Sequence, residues 1–164
     1  RIRPQWGLDP NGFRLMTDFR VEAAGGDSTY GRALFDLTST KSLGPVAAAL
    51  TLSGGAAVGA LPPQRRFYIG GLQSVRGQTA LTASGDAFWL VRGELGTRNT
   101  GARRVVFGDL GWTGSRQDWN RPGRPLAGVG TGMSFLDGLI RVDLARGLWP
   151  ATQWRLDLHL DAKF

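Results

Sequence analysis

The chain has 164 residues, a formal net charge of +7 and 41% hydrophobic residues, which together suit one folded domain and argue against intrinsic disorder. It contains no apolar run of about 20 residues, so a membrane-spanning helix is excluded. Arginine supplies most of the positive charge, and a basic balance alone would allow a protein that binds nucleic acid or an anionic surface.

The first part of the chain contains three predicted strands. Residues 1–12 hold two prolines and a Pro-Asn-Gly turn, which indicates an irregular lead-in or the frayed end of a preceding strand. Polar and apolar residues then alternate with the period of two that a strand requires, at about 13–22, 30–38 and 46–60, with a turn at 25–28. Arginines in this part stand singly between apolar residues, so they mark a strand face.

A long glycine-rich loop follows these strands. Residues 61–78 read LPPQRRFYIGGLQSVRGQ, in which the prolines and glycines exclude a helix or a long regular strand. The segment nevertheless carries several apolar side chains together with Arg65, Arg66 and Arg76. A solvent loop has little use for so many apolar residues, and a dry core does not hold three unpaired guanidinium groups. We therefore expect this loop to fold back into a polar interior.

Five further strands are predicted after the loop, at 87–97, 103–113, 126–135, 140–145 and 154–164. Residues 115–125 are predicted to form an exposed loop, and Asp137-Gly138 a tight turn. The last strand has the clearest alternation, because its apolar residues occupy every second position without interruption. They are Trp154, Leu156, Leu158, Leu160, Ala162 and Phe164.

Two of these patterns resemble a known family. FYIGGLQSVRG is similar to the lumenal loop of the outer-membrane protein 85 superfamily, which includes BamA-like insertases and FhaC-like two-partner-secretion transporters. The matching tip is Val75, Arg76 and Gly77, and Gln78 replaces the aromatic residue that usually follows. A strand that ends in Phe164 resembles the C-terminal targeting strand of bacterial outer-membrane barrels.

The resemblance implies partners for the tip. Phe107, Asp109 and Gly111 match the Phe-x-Asp-x-Gly strand against which the tip arginine of the superfamily docks. Arg92 and Glu94 form a family-like Arg-x-Glu on the neighbouring strand, and Glu94 is a second candidate partner. The alternative is that these residues are ordinary ions that line a polar lumen.

The expected fold is an all-β antiparallel transmembrane barrel with eight strands, forming one domain, residues 1–164, with a lumenal loop at 61–84. Three strands before the loop and five after it match the C-terminal half of a sixteen-stranded barrel of the superfamily. An eight-stranded barrel has an interior that side chains just fill, so it cannot also enclose this loop. We expect a fragment, or a short form that pairs with a second copy or another sheet; a loop outside the barrel is the remaining possibility.

The expected function is insertion or export of a client polypeptide at the bacterial outer membrane, with the lipid bilayer as a partner and without enzymatic activity, cofactor, metal or nucleic acid. Three alternatives stay open. The barrel could anchor an enzyme domain outside this chain, it could be a small outer-membrane enzyme with a site around His159, or it could be a soluble basic β protein that binds nucleic acid. No Gly-x-Ser-x-Gly nucleophile motif is present, and the glycine-rich segments lack the Lys-Ser/Thr ending of a phosphate loop. The tryptophans fit a membrane-interface girdle or a soluble sandwich equally well; they are Trp6, Trp112, Trp119, Trp149 and Trp154.

Overall fold

Alternating polar and apolar residues build one large antiparallel sheet. The computed structural model describes residues 1–6, 12–26, 29–98, 101–136 and 139–160. Its strands are β1 (Gln5–Trp6), β2 (Phe13–Ala24), β3 (Tyr30–Leu43), β4 (Val46–Gly59), β5 (Phe67–Ile69), β6 (Ala83–Gly85), β7 (Ala87–Thr97), β8 (Ala102–Gly114), β9 (Leu126–Phe135), β10 (Ile140–Trp149) and β11 (Trp154–Leu160).

Nine of these strands form the sheet in the order β1-β2-β3-β4-β7-β8-β9-β10-β11, and β5 pairs with β6 in a separate small hairpin. Each strand of the large sheet therefore pairs with its nearest neighbour in sequence, as in an up-and-down barrel. Among the described residues the sheet stays open, with β1 and β11 at its edges. No helix in the described part of the chain is long and apolar enough to cross a membrane.

The eight predicted long strands are confirmed, with differences at their ends. β3 continues to Leu43 and β10 to Trp149, because backbone pairing with the neighbouring strand continues past the residues whose side chains alternate most clearly. The opening segment contributes β1, and Ile2 forms a bridge to Phe19. Four predicted features lie at least partly outside the described residues: the Pro-Asn-Gly turn, the turn at 25–28, the turn at Asp137-Gly138 and the tail 161–164 with Ala162 and Phe164.

The two faces of the sheet differ in chemistry. The outward face carries large apolar side chains that remain exposed along its whole width, up to 73% for Leu156 and Leu160 on β11. The inward face carries most of the charged residues, and Asp109 and Asp143 among them are buried. A sheet that exposes its apolar side and buries its charges is inverted relative to a water-soluble protein, which is the arrangement of a membrane barrel.

The two ends of the strands also differ. The segments between β3 and β4, β7 and β8, and β9 and β10 lie at one end, and each is four residues or fewer. The long segments 60–86 and 115–125 lie at the other end, together with the short segments 25–29 and 150–153. Outer-membrane barrels place their short turns in the periplasm and their long loops outside the cell. The long segment 60–86 therefore enters from the extracellular end, and it folds back against the inner face of β7 to β10.

Candidate functional site

The base of the folded-back loop is fixed to the wall by its own small hairpin. Phe67 and Ile69 of β5 are buried, and the Phe67 ring lies 4.7 Å from that of Phe88 on β7. The hydroxyl of Thr113 on β8 is within hydrogen-bond distance of the carbonyl oxygens of Phe67 (3.2 Å) and Ala87 (2.8 Å). These contacts hold the two ends of the loop beside the start of β7, so that its tip extends down the wall.

The tip itself is buried among inward residues. Val75 has no exposed surface and packs in an apolar cluster with Ile69, Leu90 and Leu126. Gly77 has φ of +83°, and a Cβ atom there would lie 2.5 Å from the carbonyl carbon of Arg146 on β10. Only glycine combines this backbone conformation with so close an approach to another strand.

The Arg76 side chain is held by a forked ion pair. Arg76 is 1% exposed, and its Nε and Nη2 atoms donate to the two carboxylate oxygens of Asp109, each at 2.6 Å. The backbone N–H of Arg76 donates to the same carboxylate at 3.0 Å, and Nη1 donates to Glu94. The guanidinium also lies 3.6 Å from the centroid of the Phe107 ring. A planar guanidinium can use all of these contacts at once, whereas an ammonium group cannot.

Charge is balanced around the tip. Arg141 on β10 donates to Glu94 at 3.1 and 3.2 Å and to Asp143 at 2.9 and 3.0 Å, and Arg92 lies 3.6 Å from Asp109. Three guanidinium groups thus face three carboxylates. Burial alone would lower the pKa of Arg76, but the hydrogen bonds and charges of Asp109 and Glu94 outweigh it and raise that pKa above its ordinary value. Arg76 therefore stays charged in its buried position.

A stripe of glycines on β9 makes room for the tip. The inward positions Gly128, Gly130 and Gly132 alternate with outward larger residues. A Cβ atom at Gly128 would overlap the carbonyl oxygen of Arg76, and one at Gly132 would overlap the carboxylate of Asp143. At Gly130 a Cβ would lie 2.5 Å from the Phe107 ring. The glycine alternation that is visible in the sequence thus leaves the inner wall of β9 free of side chains where the tip and its partners lie.

Gln78 forms a second anchor, which sequence reasoning missed. Its side chain is fully buried, and Nε2 approaches three carbonyl oxygens, those of Ala127 (2.9 Å), Trp149 (2.8 Å) and Ala151 (3.1 Å). Its Oε1 atom accepts a hydrogen bond from the N–H of Ala151 at 3.3 Å. In the sequence this position stands out only as a departure from the aromatic residue of the superfamily. A side chain with both a donor and an acceptor can bind backbone groups that an aromatic ring would leave unpaired.

The structure also places the remaining predicted residues. Arg92 donates to the carbonyl of Gln73 at 3.2 Å, and a Cβ at Gly111 would lie 3.1 Å from Val75. All the predicted wall residues therefore contact the loop or one another. The predicted targeting residues of β11 point outward, away from the tip: Trp154, Leu156, Leu158 and Leu160. Arg141 and Asp143 belong to the cluster as well, although the sequence marked them only as the polar side of a strand.

His159 lies at the edge of the ion-pair cluster, beside Asp143. The His159 Nε2 atom lies 3.6 Å from Asp143, without a hydrogen-bond partner among the described residues. Within the same ranges, no group of three or more histidine, aspartate or glutamate side chains is placed to hold a metal ion. The contacts that the described residues do make are ion pairs between the loop tip and the inner wall.

An apolar outer wall and a charged inner wall are those of an outer-membrane β-barrel protein, and the loop that docks an arginine on the inner wall is similar to that of the outer-membrane protein 85 superfamily. Comparison with family patterns specifies it further. The chain belongs to the family of the haemolysin secretion/activation proteins ShlB/FhaC/HecB, which matches residues 24–135. Members of this family are outer-membrane proteins of Gram-negative bacteria. No curated protein matches the chain in a direct comparison.

Proposed function

We propose that residues 1–164 form half of an outer-membrane barrel that exports a polypeptide, in which the loop 61–84 braces the inner wall and partly fills the lumen. The observation that carries this proposal is the fully buried Arg76, held by both oxygens of Asp109. Taking two charged groups out of water has a large desolvation penalty, so a buried ion pair adds little net stability. A loop tip that binds the barrel wall through three arginine nitrogens therefore indicates a role other than stability. Holding a defined channel through the barrel is such a role.

The open sheet supports the half-barrel part of the proposal. Within the described ranges, β1 and β11 each have a partner strand on one side only, and in lipid each unpaired backbone group costs several kcal/mol. We infer that another sheet completes the barrel, from the rest of the protein or from a second copy. The outward apolar residues of β11, with Phe164 beyond them, would serve as the targeting label for insertion of the barrel.

Export is favoured over insertion of other membrane proteins because the family is one of secretion proteins. The client would be a polypeptide, and transport would need no cofactor or covalent step, since the inner face offers ion pairs in place of a nucleophile and base. A passive anchor for an enzyme domain is less well supported, because an anchor has no need for a braced lumen. Among the described residues, Asp143 is the only ion-pair partner of His159, which does not favour an enzyme at this position. An outer-membrane location argues against the alternative of a soluble protein that binds nucleic acid.

The test compares secreted polypeptides. The gene for the full-length protein is disrupted in its own Gram-negative host, and the culture medium is compared with that of the parent strain by mass spectrometry. We expect one or more polypeptides to disappear from the medium and to return with the wild-type gene but not with Arg76→Ala. The matched control is Arg66→Ala, since Arg66 is exposed in the same loop. An unchanged medium after disruption would refute export.

A further inference from the structure

Two arginines on the outward face stack on tryptophans. The guanidinium of Arg124, just before β9, lies 4.1 Å from the ring centroid of Trp149 at the end of β10. That of Arg146 on β10 lies 5.5 Å from the ring centroid of Trp154, its direct cross-strand partner on β11. All four side chains are exposed on the same side of the sheet as the leucines of β11.

These pairs sit at one level of the barrel. Trp149 pairs with Ala127 and Arg146 with Val129 on β9, so they are two register steps apart, or about 7 Å along the strands. Both lie at the end of the sheet that carries the long segments 60–86 and 115–125. Tryptophans at the edge of an outward apolar wall occupy the headgroup level of a membrane, and this end faces the outer leaflet.

The two arginines differ from those of the inner face in their partners. On the inner face, Arg141 pairs with Glu94 and Asp143, and the loop residue Arg76 pairs with Asp109. No carboxylate of the described residues forms a salt bridge with Arg124 or Arg146. Two exposed guanidinium groups at headgroup level, each with one face on an indole ring, keep their edges free to donate hydrogen bonds. Phosphate is the group whose geometry suits such a forked donor.

We propose that the pairs Arg124–Trp149 and Arg146–Trp154 bind the phosphate groups of an anionic lipid of the outer leaflet, of the lipopolysaccharide type. The tryptophan rings lie against the upper acyl region while the guanidinium groups hold the phosphates. This headgroup site fixes the extracellular end of β9 to β11 in the membrane. It depends on the outer-membrane location of the chain and is independent of whether the barrel exports a polypeptide.

The experiment places the full-length protein in nanodiscs of neutral phosphatidylcholine and titrates fluorescent lipopolysaccharide. Each arginine near an anionic lipid surface contributes about 1 kcal/mol, or roughly fivefold in affinity. The double variant Arg124→Gln/Arg146→Gln should therefore bind about 25-fold more weakly. The charge-matched control, Lys41→Gln/Arg104→Gln, removes two outward cations at the opposite end of the strands and should change binding less than about twofold. Heat-modifiable mobility in gels checks that each variant is folded, and Arg146→Gln alone replaces the double variant if that one fails to fold.

Two further titrations separate the sources of phosphate. Dephosphorylated lipopolysaccharide should bind the wild-type protein about as weakly as intact lipopolysaccharide binds the double variant. Inorganic phosphate at millimolar concentration should not displace the lipid, because it lacks the acyl contacts with the tryptophans. Equal binding by wild type and double variant, equal binding of both lipid forms, or full displacement by inorganic phosphate would overturn the proposal.

Discussion

Replacing Arg76 with alanine should release the loop tip from the wall. The substitution removes both side-chain hydrogen bonds to Asp109, the bond to Glu94 and the stacking on Phe107, and it leaves only the backbone N–H on the Asp109 carboxylate. Asp109, whose side chain has no exposed surface, would then keep a buried charge without its main partner. Removing one member of a buried pair costs about 3–5 kcal/mol. The undocked population should therefore rise by roughly two to four orders of magnitude.

The assay reports on tip exposure. A single cysteine is introduced as Val75→Cys, a site with no exposed surface, in a chain that contains no other cysteine. In intact cells a membrane-impermeant maleimide should label this cysteine slowly while Arg76 is present. With Arg76→Ala in addition, the labelling rate should rise by about 100-fold or more, because labelling follows the opened population.

A control reports on the sheet. Heat-modifiable mobility should remain in Arg76→Ala, because the strand ladders do not depend on the loop. A variant with Thr79→Cys, where the side chain is already exposed, should be labelled at the same rate with or without Arg76. An increase of less than about tenfold at residue 75 would mean that the ion pair adds little to docking, as for an exposed pair, and would refute this reasoning.

Three further changes test the surroundings of the tip and the outer wall. Gly128→Ala should displace the tip and raise labelling at residue 75, because the new methyl group overlaps the carbonyl oxygen of Arg76. The control Gly93→Ala on the outward face should leave labelling unchanged, since its Cβ meets nothing closer than 3.9 Å. Gln78→Leu should raise the same labelling rate by about 5- to 150-fold, because it removes the Nε2 donor from buried carbonyls at a cost of about 1–3 kcal/mol. Leu158→Arg should lower the stability of the barrel in lipid vesicles toward urea by about 2–4 kcal/mol if that position is near the bilayer midplane. Full stability of that variant would contradict a lipid-facing β11.

The strands and the orientation of their faces could be predicted from the sequence because alternation is a local property. In β11 every second residue is apolar, and the period of two alone assigns Leu156 and Leu158 to one face. The glycines and prolines of the loop likewise indicated a segment that is neither helix nor long strand. The pairing of Arg76 with Asp109 was predicted from resemblance to a family, because the spacing of the two residues in the sequence does not indicate a contact.

The rest of the site depends on register between distant strands. Nothing near Asp143 in the sequence indicates that Arg141 reaches across β8 and β9 to Glu94, because that contact follows from the offsets of three strand pairs. The binding of Gln78 to backbone groups after β10 depends in the same way on where β10 ends, at Trp149 and not at residue 145. The glycine stripe of β9 is visible in the sequence, but the reason for it became clear only once the position of the loop tip against β9 was known.

The most direct measurement of the central claim is a double-mutant cycle on export. Secretion of the polypeptide identified from the culture medium is quantified for Arg76→Ala, Asp109→Ala and the double variant. If docking of Arg76 on Asp109 supports export, either single change should lower secretion strongly, and the second change should add little once the pair is broken. Secretion losses that simply multiply, or near-normal secretion by either single variant, would contradict the account.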